Sequence, residues 1–212
     1  MGFYARQVFP RLMEWSLGGD VPTRERVRVL RDVAGDVLEI GFGTGLNLPH
    51  YPRAVRRLTI VDDAALLPAR VEARIALAPF PVERSQLSAE RLPFDDARFD
   101  SVVSTWTLCT IPDVAAALRE VARVLRPDGR LVFLEHGRSD DPGVARWQDR
   151  LNPVQNVMAC GCHLNRPIDA LIAASPLALV DLDRYALPGM PRLFGEMYRG
   201  TARPTSAAAP TR

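Results

Sequence analysis

Apolar positions change period repeatedly along this chain, and the changes mark its elements. Between residues 36 and 136, short apolar runs alternate with stretches where apolar residues recur every three or four positions. The runs "DVLEIG", "RLTIVDD", "FPVERS", "FDSVVSTW" and "RLVFLEH" read as strands. The Val102–Val103 pair belongs to the continuous apolar pattern of a sheet covered on both faces. Between the strands, "LNLPHY" begins a short helix and "ALLPARVEARIA" reads as a helix. "VAAALREVARVL" is a longer one, capped by Asp113 and ended by "RPDG". Strands and helices in strict alternation predict βαβ units and a doubly wound, mostly parallel α/β sheet.

The flanks differ. Phe3 to Leu17 carries Tyr4, Val8, Leu12 and Trp15 at roughly helical spacing, interrupted by Pro10. Thr23 is placed to cap a helix continuing through Val27, Leu30 and Val33. From Asp140 to Arg166 there is no strand signal, and the pattern predicts a helix, a loop and a second helix with Pro167 at its start. Strands near residues 178–185 and 194–203 then close the sheet as a hairpin, seven strands in all with an antiparallel C-terminal strand. We expect one domain over residues 1–203. The remaining residues, 204–212, are small, polar and proline-containing, the composition of a disordered tail.

Composition narrows the function classes. A net charge of only +2 on 212 residues gives no unaided electrostatic grip on nucleic acid. No apolar run reaches the ~20 residues that span a bilayer, and no secretory signal pattern opens the chain. Three cysteines do not pair into a disulfide framework, which points to a reducing, cytoplasmic setting.

The candidate chemistry starts at "EIGFGTG". Three glycines, Gly41, Gly43 and Gly45, follow the first strand at every second position, where the ligand of an open α/β sheet binds. One glycine suffices for a tight turn, so three point to a ligand close to the backbone. The spacing GxGxG differs from the dinucleotide fingerprint GxGxxG. Asp62 ends the second strand, 21 residues after Gly41, where an acid accepts both hydroxyls of a ribose; Asp62 or Asp63 serves equally as a helix cap.

Taken in order, "LEIGFGTG", the acid after the second strand, "SAERLPFDDARFDSVVS" and "LREVARVLRPDGRLVFLEH" resemble the motifs of class I S-adenosylmethionine-dependent methyltransferases, over residues 36–136. The resemblance implies a Rossmann-like methyltransferase fold and S-adenosylmethionine as cofactor, with S-adenosylhomocysteine as product. It implies that Glu39, Gly41, Gly43 and Gly45 hold the methionine part, Asp62 the ribose, and Ser88, Ala89 and Glu90 the adenine surroundings. Relatives usually carry Asp at the Ser88 position. Thr105 and Trp106, after the fourth strand, are expected to face the sulfonium.

The acceptor is read from what is added to this core, namely an N-terminal lid helix at 1–20 and an acceptor-side insert at 136–176. Trp147, Gln148, Leu151, Pro153, Gly161, Cys162, Leu164 and Arg166 of the insert, with the upstream "WTLCTI" and "FLEH", resemble the alkyl-thiol S-methyltransferase branch and its bacterial relatives. That implies hydrogen sulfide or a small thiol as acceptor; His136, at a strand end that points to the cleft, and Arg166, by its position in the insert, are the residues expected to favour its thiolate. The loop "GTGLNLPHY" and the segment "FYARQVFPRLMEW" are also similar to bacterial phosphatidylethanolamine N-methyltransferases, which makes peripheral membrane contact the second reading. A quinone-type or other small-molecule methyltransferase and a non-catalytic cofactor-binding regulator complete the alternatives. Cys160, Cys162 and His163 in "CGCH" are not expected to hold a metal, because adjacent residues on one loop rarely supply a tetrahedral ligand set and no distant CxxC partner exists.

Overall fold

The computed structural model describes residues 3–64 and 66–205. A π-helical turn over Tyr4–Val8 runs directly into helix α1 (Phe9–Leu17), followed by α2 (Asp20–Leu30). The alternating region is β1 (Gly35–Ile40), β2 (Val55–Asp62), α3 (Pro68–Ile75), β3 (Val82–Gln86), β4 (Phe99–Thr105), α4 (Val114–Val124) and β5 (Leu125–His136). Then come α5 (Pro142–Met158), α6 (Ile168–Ala173), β6 (Leu177–Ala186), the single turn α7 (Arg192–Gly195) and β7 (Glu196–Pro204). The seven strands form one sheet in the order β3-β2-β1-β4-β5-β7-β6. All pairs are parallel up to β5, and β7 runs antiparallel to both β5 and β6. The doubly wound sheet and its antiparallel C-terminal strand are therefore as the periodicity predicts. The final hairpin is folded inward, with β7 beside β5 and β6 on the edge.

The apolar runs explain the layering. Leu38, Ile40, Val102, Leu131 and Phe133 point to one face of the sheet and pack against Leu118 and Val121 of α4, with Ile168 and Ile172 of α6. Val37, Leu58, Ile60, Val103 and Val132 point to the other and pack with Leu30, Val33 and Val71. Period-2 alternation along strands covered on both sides is what lets consecutive residues serve opposite cores. Asp113 caps α4 as expected, accepting from Ala116 N–H at 2.9 Å.

Three boundaries differ from expectation. Helix α2 starts at Asp20 rather than being capped by Thr23, whose N–H bonds instead to the Gly19 carbonyl at 3.0 Å inside the helix. The "RPDG" turn does not separate α4 from β5; β5 begins at Leu125 and the turn is absorbed as a register shift in its pairing with β4. Pro204, placed by composition in the tail, is the last residue of β7, paired with Leu177. The rest of that tail, from Ser206, lies outside the described residues.

The chain leaves β1 toward β2 and returns from β3 to β4 on the other side of β1. The loops after β1 and β4 diverge there and open a crevice at the carboxyl edge of the sheet. Phe133, fully buried, lies two residues before Glu135 on the strand that borders this crevice. Phe133→Ala is expected to cost about 3–5 kcal/mol of unfolding free energy, measured by denaturant titration.

Candidate active site

The crevice is a cavity of about 560 Å³ between the carboxyl ends of the strands, the N-terminal helix and the 159–164 loop. Its first wall is the glycine loop. Gly41, Gly43 and Gly45 have φ of +69°, +59° and +85°, so the backbone turns through the left-handed region three times in five residues. The three are not equivalent. A Cβ on Gly41 would meet the Thr107 side chain at 2.1 Å, and one on Gly45 would meet the Phe42 ring at 2.8 Å. A Cβ on Gly43 would meet nothing within 4 Å. Gly41 and Gly45 are thus required by packing, and Gly43 leaves backbone open to an occupant. Gly41 and Gly43 line the cavity and Gly45 does not.

Glu39 lies beneath this loop, outside the cavity wall. Its carboxylate accepts from Asn47 Nδ2 and from the Tyr51 hydroxyl, both at 2.7 Å, and burial raises its pKa to about 7. Asn47 Nδ2 also donates to Thr105 Oγ1 at 2.9 Å, which ties the β1 loop to the end of β4. Asp62 accepts from Gly43 N–H at 2.6 Å and from Ala64 N–H at 2.9 Å, and burial raises its pKa. Each of its oxygens keeps spare acceptor capacity, and the residue lines the cavity. Ser88 and Ala89 line the cavity next to Asp62 and Asp63. Glu90 does not; it accepts from Asp113 N–H at 2.8 Å and so holds the start of α4.

Thr105 and Trp106 line the opposite wall. Trp106 has φ of +50°, uncommon for a side chain of this size, at the point where β4 turns away. Glu135 holds that turn. It is fully buried, accepts from Ser104 Oγ at 2.6 Å and from Thr107 N–H at 2.8 Å, and burial raises its pKa to about 7. Next to it, His136 faces the cavity together with Cys109 and Cys162. The two sulfurs are 3.5 Å apart, and Cys162 Sγ is 3.7 Å from His136 Nε2. Contact with Cys109 pulls the Cys162 thiol below its ordinary value, and contact with Cys162 pushes the buried Cys109 thiol up. Arg166 lies behind the wall. Its guanidinium donates to the Leu108 carbonyl and, at 2.7 Å, to that of Ile111, so it fixes the turn that carries Cys109.

Arg26, which sequence reasoning missed, also lines the cavity. It donates to the Leu17 carbonyl at 2.5 Å and lies 4.7 Å from the centroid of the Trp106 ring. Burial lowers its pKa to about 10, which leaves it cationic at neutral pH. The available signal was register: Pro22, Arg26 and Leu30 recur every four residues and form one buried stripe of α2. The N-terminal helix closes this side with Phe9, Pro10, Met13 and Leu17. Glu14 pairs with Arg70 and, at 2.6 Å, with Arg74, which in turn donates to the Thr44 carbonyl of the glycine loop.

These residues fit S-adenosylmethionine. Among the described residues, two buried polar atoms of cavity-lining side chains have no partner, the donor Arg26 Nε and the acceptor Asn47 Oδ1. A carboxylate and an ammonium of an amino acid supply what each lacks. Asp62 has acceptor capacity for a ribose, and the open side of Gly43 admits a ligand against backbone.

Comparison with known proteins agrees. Residues 38–133 match the family model of the methyltransferase domain. The chain is 30% identical over 175 residues to the phosphatidylethanolamine N-methyltransferase of Cereibacter sphaeroides, covering 80% of this chain and 84% of that protein. It is 32% identical over 155 residues to the human thiol S-methyltransferase TMT1A, covering 68% of this chain and 62% of the human one. Among solved structures, the 1,6-didemethyltoxoflavin-N1-methyltransferase of Burkholderia thailandensis superposes with a TM-score of 0.65 at 21% identity, over 92% of this chain and 85% of that one. The chain belongs to the class I S-adenosylmethionine-dependent methyltransferases. It is an enzyme, and its cofactor is S-adenosylmethionine.

Two measurements test this geometry. Gly43→Ala is expected to leave the fold intact and weaken S-adenosylhomocysteine binding in calorimetry, whereas Gly41→Ala is expected to lower stability itself. The second concerns pH. Glu39 and Glu135 are raised from 4.5 to about 7, so the stability their neutral forms contribute is present below about pH 4.5 and lost as pH rises through about 7. Glu39→Gln is expected to flatten part of that fall, read from denaturation midpoints at about pH 5 and about pH 7.5. An unchanged slope would show that Glu39 is ionised throughout.

Proposed function

We propose that the enzyme methylates the sulfur of hydrogen sulfide or a small thiol. The observation that carries this reading is the grouping of Cys109, His136 and Cys162 at the end of the cavity beside Thr105 and Trp106, with the half-buried Arg166 cation behind it. The acidic residues lining the cavity, Glu14, Asp62 and Asp63, come from α1 and the end of β2. The opposite end therefore favours a soft, anionic nucleophile over an ammonium. The 32% identity to a thiol S-methyltransferase supports the same choice.

When bound, the cofactor supplies an electrophilic methyl carbon on a sulfonium, a good leaving group. We assign Gly43, Arg26, Asn47 and Asp62 to holding it, with Ser88 and Ala89 beside the adenine. Glu39, Gly45 and Glu90 act through the loops they brace. His136 and the charge of Arg166 favour negative charge on the acceptor sulfur, and the acceptor's S–H proton leaves to solvent. With the cofactor held there, transfer would be an in-line displacement at its methyl carbon by the acceptor sulfur. The helix α1 excludes water from the pair, the role of a lid. Action on a diffusing thiol in the cytoplasm suits a chain in which no described helix is long and apolar enough to cross a membrane.

A second reading has its own observation. Phe3, Leu12 and Trp15 are exposed on the N-terminal segment, as are Val154, Val157 and Met158 on α5, and the Tyr4 hydroxyl bonds to the Met158 carbonyl at 2.9 Å. With the relative named for phosphatidylethanolamine, this favours a lipid acceptor reached from a membrane surface.

One assay separates the two. Labelled cofactor is offered with hydrogen sulfide, two thiols of different acidity, and phosphatidylethanolamine vesicles. Methanethiol from hydrogen sulfide and thioethers from the two thiols are expected, with rates that rise with pH and level off above each acceptor's own pKa, ~8.5 for an ordinary thiol. A pH profile identical for both thiols would refute the thiolate as the reacting form. Methylated lipid without any S-methylated product would establish the second reading instead.

A further inference from the structure

The "CGCH" motif divides its residues in the fold. His163 is taken by the scaffold, with its two ring nitrogens 3.1 Å from the side-chain amides of Asn152 and Asn156. Cys160 stands at φ +51° and Gly161 at φ +102°, and this double left-handed turn presents Cys162 to the cavity. The turn is fixed at both ends. Gly161 N–H donates to the Asn156 carbonyl at 2.7 Å, and His163 N–H to the Cys109 carbonyl at 2.9 Å. Cys162 thereby meets Cys109, from the turn after β4, and His136, from the end of β5. Three donors from three separate elements converge, their ligating atoms all within 4.8 Å of one another.

The separations suit a metal. Zinc bonds of ~2.3 Å to sulfur and ~2.0 Å to nitrogen in tetrahedral geometry place two sulfurs ~3.8 Å apart and sulfur from nitrogen ~3.5 Å. The observed 3.5 Å between the sulfurs and 3.7 Å from Cys162 Sγ to His136 Nε2 differ from these by a few tenths of an ångström. Two thiolates and a neutral imidazole also balance a divalent charge, which a buried site requires. Three protein ligands leave one tetrahedral position, and all three residues line the cavity, so that position faces the cavity.

We propose that Cys109, His136 and Cys162 bind one borderline-soft divalent ion of the zinc type, with the fourth position open to the acceptor. Binding releases the two cysteine protons to solvent. An acceptor thiol entering the fourth position loses its own proton to solvent and stays as a metal-bound thiolate. Its sulfur lone pair then forms the S–CH₃ bond as the methyl–sulfonium bond breaks, and that bond's electron pair remains on the departing thioether sulfur. The metal site itself stands apart from the acceptor; only the use of the fourth position rests on the thiol reading.

The test uses the full chain, purified under reductant, with zinc and cobalt(II) as probes. One equivalent of zinc per chain is expected by elemental analysis and by competition with a chromogenic chelator. Cobalt(II) is expected to give a thiolate-to-cobalt charge-transfer band and the intense visible absorption of a tetrahedral site. Cys109→Ser, Cys162→Ser and His136→Ala are each expected to lose the tight metal while still binding S-adenosylhomocysteine, which reports folding. Cys160→Ala is expected to keep the metal, since its sulfur is not among the converging donors. Substoichiometric zinc in every preparation, or a cobalt spectrum without the charge-transfer band, overturns the site. A cobalt spectrum unmoved by added thiol overturns the open fourth position alone. Thiol methylation by chelator-treated, metal-free protein at the full rate overturns the metal's part in catalysis and leaves the thiol reading standing, whereas absence of thiol methylation with metal bound removes that reading and leaves the metal site.

Discussion

A carboxylate placed almost wholly out of water at the end of β1 governs the form of this site. Glu39 takes the Asn47 amide with one oxygen and the Tyr51 hydroxyl with the other. Both bonds run forward along the chain, so together they fold the segment after the glycines back onto the strand that leads into them. They act with the bonds from Gly43 N–H to Asp62 and from Gly41 N–H to the Val61 carbonyl to select one conformation for a loop with three residues in the left-handed region. The cost of burial is visible in the raised pKa, and the bonds offset part of it. Because Asn47 also reaches Thr105, the same carboxylate sets the distance between the loops after β1 and β4. Those loops carry opposite walls of the cavity.

A second buried carboxylate repeats the device one strand further on. Glu135 holds Ser104 and the Thr107 N–H, and so fixes the turn through Trp106. Arg166 holds the continuation of that turn by its carbonyls. The loop after β1 is therefore shaped by an anion that captures donors, and the turn after β4 by an anion that captures donors together with a cation that captures acceptors. The residues left facing the cavity between them are the ones with capacity to spare: Arg26, Asn47, Asp62 and the cysteine–histidine group.

What could be read from the sequence follows from how local each feature is. The strands were legible because period-2 and period-3.6 patterns are set by near neighbours, and the glycine loop because its need for positive φ is met within five residues. Asp62 was legible from its place after β2. Arg26 was not, because its significance lies in a helix face that only packing defines, and Thr23 misled because a capping residue type says nothing about where tertiary contacts start the helix. The pairing of Cys162 with Cys109 and His136 spans 53 and 26 residues, and no spacing rule connects positions on separate strand ends. Adjacent letters in "CGCH" suggested the wrong neighbours. His163 belongs to the asparagines of α5, and its bonds keep the turn that aims Cys162. Arg166 shows the converse, a residue named for its charge whose hydrogen bonds serve the backbone.

The contact between α1 and the body of the enzyme has a kinetic meaning. Glu14 joins the N-terminal helix to Arg70 and Arg74 through ion pairs, while Trp15 and Leu12 of the same helix remain exposed. Arg70 stands in solvent and its share of the pairing weakens with salt, whereas Glu14 and Arg74 are largely out of water and are screened much less. Were spent cofactor to leave past this wall, its exchange would gain some speed with salt, whereas methyl transfer behind it would gain nothing. Turnover and single-turnover rates then diverge as ionic strength changes, and the sign of that divergence reports whether escape or chemistry sets the pace.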